Sequence, residues 1–195
     1  MFQKLRAKGF EVLVLHHAEA ILTHDMPNAV TEIEGVLSKI RIPVEELIRG
    51  GGGEGQLTQR LRKALANVGW VKHNFEIQKI VDGVQKESTS HEIDHVKVFD
   101  GSTFALEIEW NNKDPFYDRD LNNFRLLFDL RAIDAGVIIT RCTELQQIFN
   151  KLGRGPSFGN STTHMAKLLP RLEGGGGGGC PVVVFGIRGA AYVED

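Results

Sequence analysis

The chain has 195 residues, of which 25% are charged and 42% hydrophobic, and its net charge is −2. This is the make-up of a globular protein with one sizeable core, and a single domain over residues 1–195 is expected. No apolar run reaches membrane-spanning length, and Met1-Phe2-Gln3-Lys4-Leu5-Arg6 leads into no secretory h-region, so a cytoplasmic protein with no membrane partner is expected. Near-neutral charge neither supports nor excludes nucleic acid, since basic residues can gather in one cleft.

Phe10 to Leu15 has strand propensity, and His16 to Leu22 suits a short helix. The paired histidines have no second ligand pair at a telling distance, which favours a flanking role over metal binding. Asp25-Met26-Pro27 opens a helix, with Asp25 as cap and Pro27 in the first turn. Its apolar stripe of Val30, Ile33, Leu37 and Ile40 suits either a core or a dimer interface. Gly50 to Gly53, then Glu54-Gly55, read as a flexible loop into a second helix. Leu57, Leu61, Leu65 and Val68 form that helix's buried face, and Gly69 its stop. Arg60, Arg62 and Lys63 face elsewhere, to solvent or to phosphate. No Gly-Lys-Ser/Thr follows the glycines, so this is not a nucleotide-binding loop. Glu54, an acid on a pliable loop, stands where it can swing toward a metal.

Trp70 to Val81 reads as a strand leading through a polar loop into His91 to Trp110. That stretch holds an Asp100-Gly101 turn between two strands, the strongest short-range hairpin signal. Counting outward pairs Phe99 with Ser102, Val98 with Thr103, Val96 with Ala105 and Asp94 with Glu107. Opposed residues share a face with Cβ atoms about 4.5–5.5 Å apart, and Glu109 lies on that face two residues on. Three carboxylates then converge, and either a proton or a cation must relieve them. Leu106, Ile108 and Trp110 take the opposite, core-facing side.

Asn111, Asn112 and Lys113 form a polar turn after this strand, and Asp118 is the expected cap of a helix carrying Leu121, Phe124, Leu127 and Phe128. Ala135 to Thr140 is a buried central strand, Glu144 to Leu152 a helix, and Gly153 to Thr163 a long polar loop. A short helix from Met165 to Leu172, a flexible linker at Gly174 to Gly179, and a buried strand from Pro181 to Ile187 complete the chain. Cys142 and Cys180 match no metal or redox spacing and are expected as free buried thiols. The order of elements is α/β around a central sheet.

Asp94 followed by Glu107-Ile108-Glu109 resembles the PD-(D/E)xK nuclease superfamily, with Glu at the last position in place of the common Lys. More specifically, the chain resembles the BglII/BstYI group of type II restriction endonucleases, with BamHI more distant. Leu106-Glu107-Ile108-Glu109-Trp110-Asn111-Asn112 with Pro115-Phe116 matches the group's catalytic strand and the turn after it. Val137-Ile138-Ile139-Thr140 and the terminal strand from Gly179 to Ile187 extend the match. Glu109 departs from the Gln of the closest relatives.

The resemblance implies a restriction-endonuclease-like central mixed β-sheet flanked by helices, and a Mg²⁺-dependent homodimer cutting a short palindrome in double-stranded DNA. Asp94 and Glu107, with the carbonyl of Ile108, would hold the metal; Glu109 would orient or deprotonate the water, and Glu54 would add an outer carboxylate. Asn111, Asn112 and Lys113 fit one base-reading segment, and Arg154, Asn160, Ser161, Thr162 and Thr163 a second. Arg119, Arg125 and Arg188 are candidates for phosphate contact. Turn geometry is the competing role for each Asn. A structure-directed or non-specific nuclease, or a metal-dependent DNA-binding module, would carry the same hairpin. The group's sites contain a GATC core, which is the expected target.

Overall fold

A computed structural model of the chain describes residues 1–49, 54–159 and 161–194; the glycine run at 50–53 and Asn160 lie outside the described residues. The first half runs α1 (Gln3–Ala7), β1 (Phe10–Leu15), α2 (Ala18–His24), α3 (Pro27–Leu37), β2 (Ile42–Pro43), α4 (Val44–Ile48) and α5 (Gln56–Ala66). Then come β3 (Val71–Val81), β4 (Val84–Phe99), β5 (Ser102–Glu109), α6 (Phe116–Asp129) and β6 (Ala135–Arg141). The chain closes with α7 (Leu145–Lys151), α8 (Met165–Glu173), β7 (Val182–Ile187) and β8 (Tyr192–Val193). The main sheet has the order β1-β7-β6-β5-β4-β3, while β2 and β8 pair separately. Within the main sheet β5, β6 and β7 are parallel and the other pairs antiparallel, and β2 and β8 are parallel. The expected α/β fold with a central mixed sheet flanked by helices is what forms.

Asp100 and Gly101 both take positive φ, 50° and 90°, as a two-residue turn matched to strand twist requires. The register follows as counted, from Phe99↔Ser102 through Val96↔Ala105 to His95↔Leu106. The polar loop expected before this hairpin does not exist. Asp82 and Gly83 form a second turn of the same kind, and β4 begins at Val84, paired with β3. Its outer half is polar on both faces, so no apolar alternation announced a strand. Between Val71↔Val96 and His73↔Ile93 the β4 side carries one extra residue, a bulge at Asp94-His95.

Helices cover both faces of the sheet. Leu106, Ile108 and Trp110 join Leu61, Leu65 and Phe149 on one face, as expected, while Val96 and Ala105 pack under α6 and α8 on the other. Every residue of β6 and β7 is buried, so these central strands read as continuous apolar runs. Phe124 of α6 lies over Gly136, where an added Cβ would stand 2.4 Å from its ring. Gly136→Ala is therefore expected to lower the unfolding free energy by about 1–3 kcal/mol. An unchanged urea midpoint would show that α6 does not seat as tightly as this contact requires.

Four local expectations are corrected. Asp25 ends α2 instead of capping α3, although Pro27 does open that helix. Asp118 lies inside the first turn of α6 and pairs with Arg171 at 2.8 Å instead of capping. Val68 falls beyond α5 and is exposed. The run at Gly174 to Gly179 is no linker: its amides bond back to α8, and Cβ atoms on Gly176 or Gly178 would strike Leu121 or Arg125 of α6. His16 and His17 form the turn between β1 and α2, a flanking role. Both cysteines are free and buried, their thiols pushed up to about 12 by burial.

Candidate active site

The β4–β5 ladder stops at His95↔Leu106, yet β5 runs on beside β6 to Glu109↔Thr140. β4 meanwhile continues outward with β3 alone, so the two strands part and leave a fork. Asp94 stands exposed at this fork, its backbone N 3.5 Å from Glu107 Oε1. The counted pairing of Asp94 with Glu107 falls past the end of the ladder, so the two residues adjoin at the fork and do not form a cross-strand pair. Thr103 O accepts from Asp134 N on the β6 side, so by alternation the carbonyls of Leu106 and Ile108 face β4. His95 Nδ1 donates to Leu106 O at 3.3 Å, and Ile108 O by the same alternation opens into the fork. Burial holds His95 below the usual imidazole range, which keeps it neutral.

Asp94 and Ile108 border a cleft of about 490 Å³ whose walls also carry Glu54, Asn111, Asn112 and Arg154. Glu54 pairs with Arg62 at 2.7 Å, and Arg154 Nε donates to Leu47 O at 3.1 Å. On the other side of Asp94 a second hollow holds Glu107, Arg119 and Asn123. Asp94 is common to both.

The acidic face is not open as the hairpin alone suggested, because α6 covers it. Glu107 is 2% and Glu109 1% exposed, and α6 adds a third buried acid, Asp120, at 0%. Burial, then Asp120 and Asp94, push Glu107 up to about 9; burial and Asp120 do the same to Glu109. Burial also raises Asp120, against the pull of Arg119, whose Nε and Nη2 donate to its Oδ1 at 2.9 and 2.7 Å. Arg119 Nη2 stands 3.8 Å from Glu109 Oε1. One guanidinium thus serves two buried carboxyls, and Glu109 Oε2 and Asp120 Oδ2 are buried without a partner among the described residues. Like charges this close must hold protons or a cation.

A hard divalent ion fits this donor set. Among the described residues no three His, Cys, Asp or Glu side chains form a metal-holding group. Mg²⁺ seldom needs one: it is commonly held by one or two carboxylates and keeps its other positions for water and phosphate oxygen. Asp94, Glu107 and the Ile108 carbonyl offer that partial set of oxygens.

The two polar segments meet as one structure. Asn112 N donates to Thr163 Oγ1 at 3.2 Å and Thr163 N to Asn112 O at 2.8 Å. Lys113 bridges to Thr162, Asp114 N donates to Ser161 O, and Asn111 Nδ2 to Ser157 O at 3.2 Å. Asn111, Asn112, Lys113 and Ser161 are exposed. Thr163 is fully buried, so it supports the Asn112 backbone instead of presenting a surface. Arg188 pairs with Glu11 at 3.5 Å beyond the end of β7 and borders neither hollow. Arg125, on α6, lies 4.0 Å from Asp129. Asp120 escaped the sequence reading, although its spacing from Tyr117, Leu121 and Phe124 sets it on the buried side of α6.

A mixed sheet opening into an acid-edged cleft, beside exposed polar loops, is the arrangement of a hydrolytic nuclease of restriction-endonuclease-like fold. The family model for restriction endonuclease BglII/BglIII matches residues 10–187, and the chain belongs to that family. It is accordingly a type II restriction endonuclease, which binds DNA and hydrolyses its phosphodiester bonds. No curated protein matches the chain significantly. No helix among the described residues is long and apolar enough to cross a membrane.

Proposed function

We propose that this nuclease uses Mg²⁺ to cut a short palindrome in double-stranded DNA, working in the cytoplasm as a two-fold dimer with one site per subunit. The observation that carries the reading is the fork, where Asp94, Glu107 and the Ile108 carbonyl stand together beside Asn111 and Asn112. Asp94 and Glu107 would hold the cation, with Glu54 an outer carboxylate on the same cleft. When bound, Mg²⁺ supplies a lowered water pKa and charge stabilisation at the phosphate. Glu109 holds or accepts the water's proton at its carboxyl, with Asp120 and Arg119 setting its charge. Arg119 borders the hollow beside Glu107 and is positioned for the scissile phosphate.

Asn111, Asn112 and Lys113 read base edges: Asn pairs bidentately with adenine, Lys with guanine. Ser161 and Thr162, with Asn160 and Arg154, form the second reading segment; Thr163 fixes it from within, and Arg125 and Arg188 contact phosphate at the periphery. A GATC core is the target that the resemblance suggests. Methylation-free phage DNA incubated with the enzyme and MgCl₂ should give discrete fragments whose ends carry one sequence. EDTA should abolish cutting, and restored Mg²⁺ should return it. A smear would favour a non-specific nuclease, and cutting in EDTA would remove the metal from the reading.

A further inference from the structure

Arg141 closes β6 with its side chain fully buried, and no carboxylate pairs with it among the described residues. Its guanidinium lies over the Phe149 ring at 5.3 Å, and Phe149 stacks on Phe158 at 4.0 Å. Nη2 alone reaches three neutral acceptors: Thr162 Oγ1 at 3.0 Å, Phe158 O at 3.2 Å and Gln146 Oε1 at 3.3 Å. Nε and Nη1 are buried without an acceptor among the described residues. Burial pulls the group down to about 10. A cation buried among neutral groups is unfavourable, and an apolar side chain of similar volume usually serves folding as well or better. Packing alone therefore gives no reason for an arginine here.

Its contacts supply one. Thr162 bridges to Lys113, Thr163 holds Asn112 at both backbone groups, and the Ser157 carbonyl takes the Asn111 amide. Arg141 bonds Thr162 and Phe158 directly, and Thr163 and Ser157, which hold Asn112 and Asn111 at the cleft, are their immediate chain neighbours. We propose that Arg141 is a specificity-positioning residue, fixing Phe158 and Thr162 from within and, through them and their described neighbours, the Asn111–Lys113 segment that reads base edges. This rests on the site-specific reading above. Arg141 makes no hydrogen bond to Asp94 or Glu107 among the described residues, so its loss falls on discrimination between sequences more than on bond cleavage.

The test compares wild type with Arg141→Met and Arg141→Lys on duplexes carrying the target, defined from wild-type fragment ends, or one mismatched base pair. Arg141→Met is expected to melt at or above the wild-type temperature while its preference for the target falls roughly ten- to hundredfold, the worth of a base contact or two. Extra fragments should appear on phage DNA. Arg141→Lys keeps the cation without the fork and should lose preference in the same direction. A folded Arg141→Met with the wild-type preference and fragment pattern would overturn the proposal. Should that variant not fold, unchanged preference in Arg141→Lys would do so. A wild type that gives no discrete fragments would overturn the site-specific reading instead, and this inference with it.

Discussion

Asp94→Asn is expected to lower the cleavage rate by roughly a thousandfold or more, because on the proposed reading it weakens a hold on the metal worth several kcal/mol of transition-state stabilisation. The fold should not notice. Asp94 is exposed at the fork, and its side chain makes no hydrogen bond within the described structure. Substitution there should move stability by no more than about 0.5 kcal/mol. Plasmid nicking beside a melting curve separates the two effects. A variant that still cuts at near wild-type rate would remove Asp94 from the site, and one that fails to fold would make it a structural residue.

Glu109→Gln, which installs the residue of the resembled group at this position, is expected to strengthen the metal-free fold. The Glu109 and Glu107 carboxyls titrate near the ordinary 4.5 when unfolded and are raised to about 9 in the folded chain, chiefly by burial. The folded state therefore binds more protons than the unfolded one between those values. Stability from these groups is complete below about pH 4.5 and is lost progressively as pH climbs to about 9. At pH 8 a neutral amide avoids that loss and can donate to Asp120 Oδ2, which is buried without a partner. The gain should be about 1–3 kcal/mol in EDTA, shrinking toward pH 6. Urea denaturation at both pH values checks it. A Glu109→Gln protein weaker than wild type at pH 8, or one with the same pH slope, would mean that this acid is ionised in the fold and paired by some other means. Added Mg²⁺ should raise the wild-type midpoint most at high pH, where the acids would otherwise stand unopposed.

The central hairpin was legible because Asp100-Gly101 leaves almost no other choice: both residues must take positive φ, and the register then follows by counting. What counting could not give is the point where β4 leaves β5. That depends on the bulge at Asp94-His95 and on β3 pulling β4 outward. Residues of β4 from Val84 to Ser90 are exposed on both sides, so the strand carries no apolar rhythm, and only Asp82-Gly83 marked it. The acids of β5 were found by their alternation, but their burial belongs to α6, a neighbour that no strand pattern names. Asp120 was hidden among helical residues, although its spacing put it beside Tyr117 and Phe124. Arg141 was harder still, since an arginine ending an apolar strand ordinarily emerges into solvent.

The ribbon of β3 and β4 beyond the fork is held by one ladder and little else, its side chains mostly exposed. Isolated two-stranded ribbons are marginal in water. Backbone amides there should therefore exchange with deuterium through local opening, long before those of β6 and β7, which need global unfolding. Asp94 lies on the border between these two regimes. Whatever holds the ribbon shut also steadies that carboxylate, so DNA that damps exchange along β3 would be spending part of its binding free energy on assembling the site.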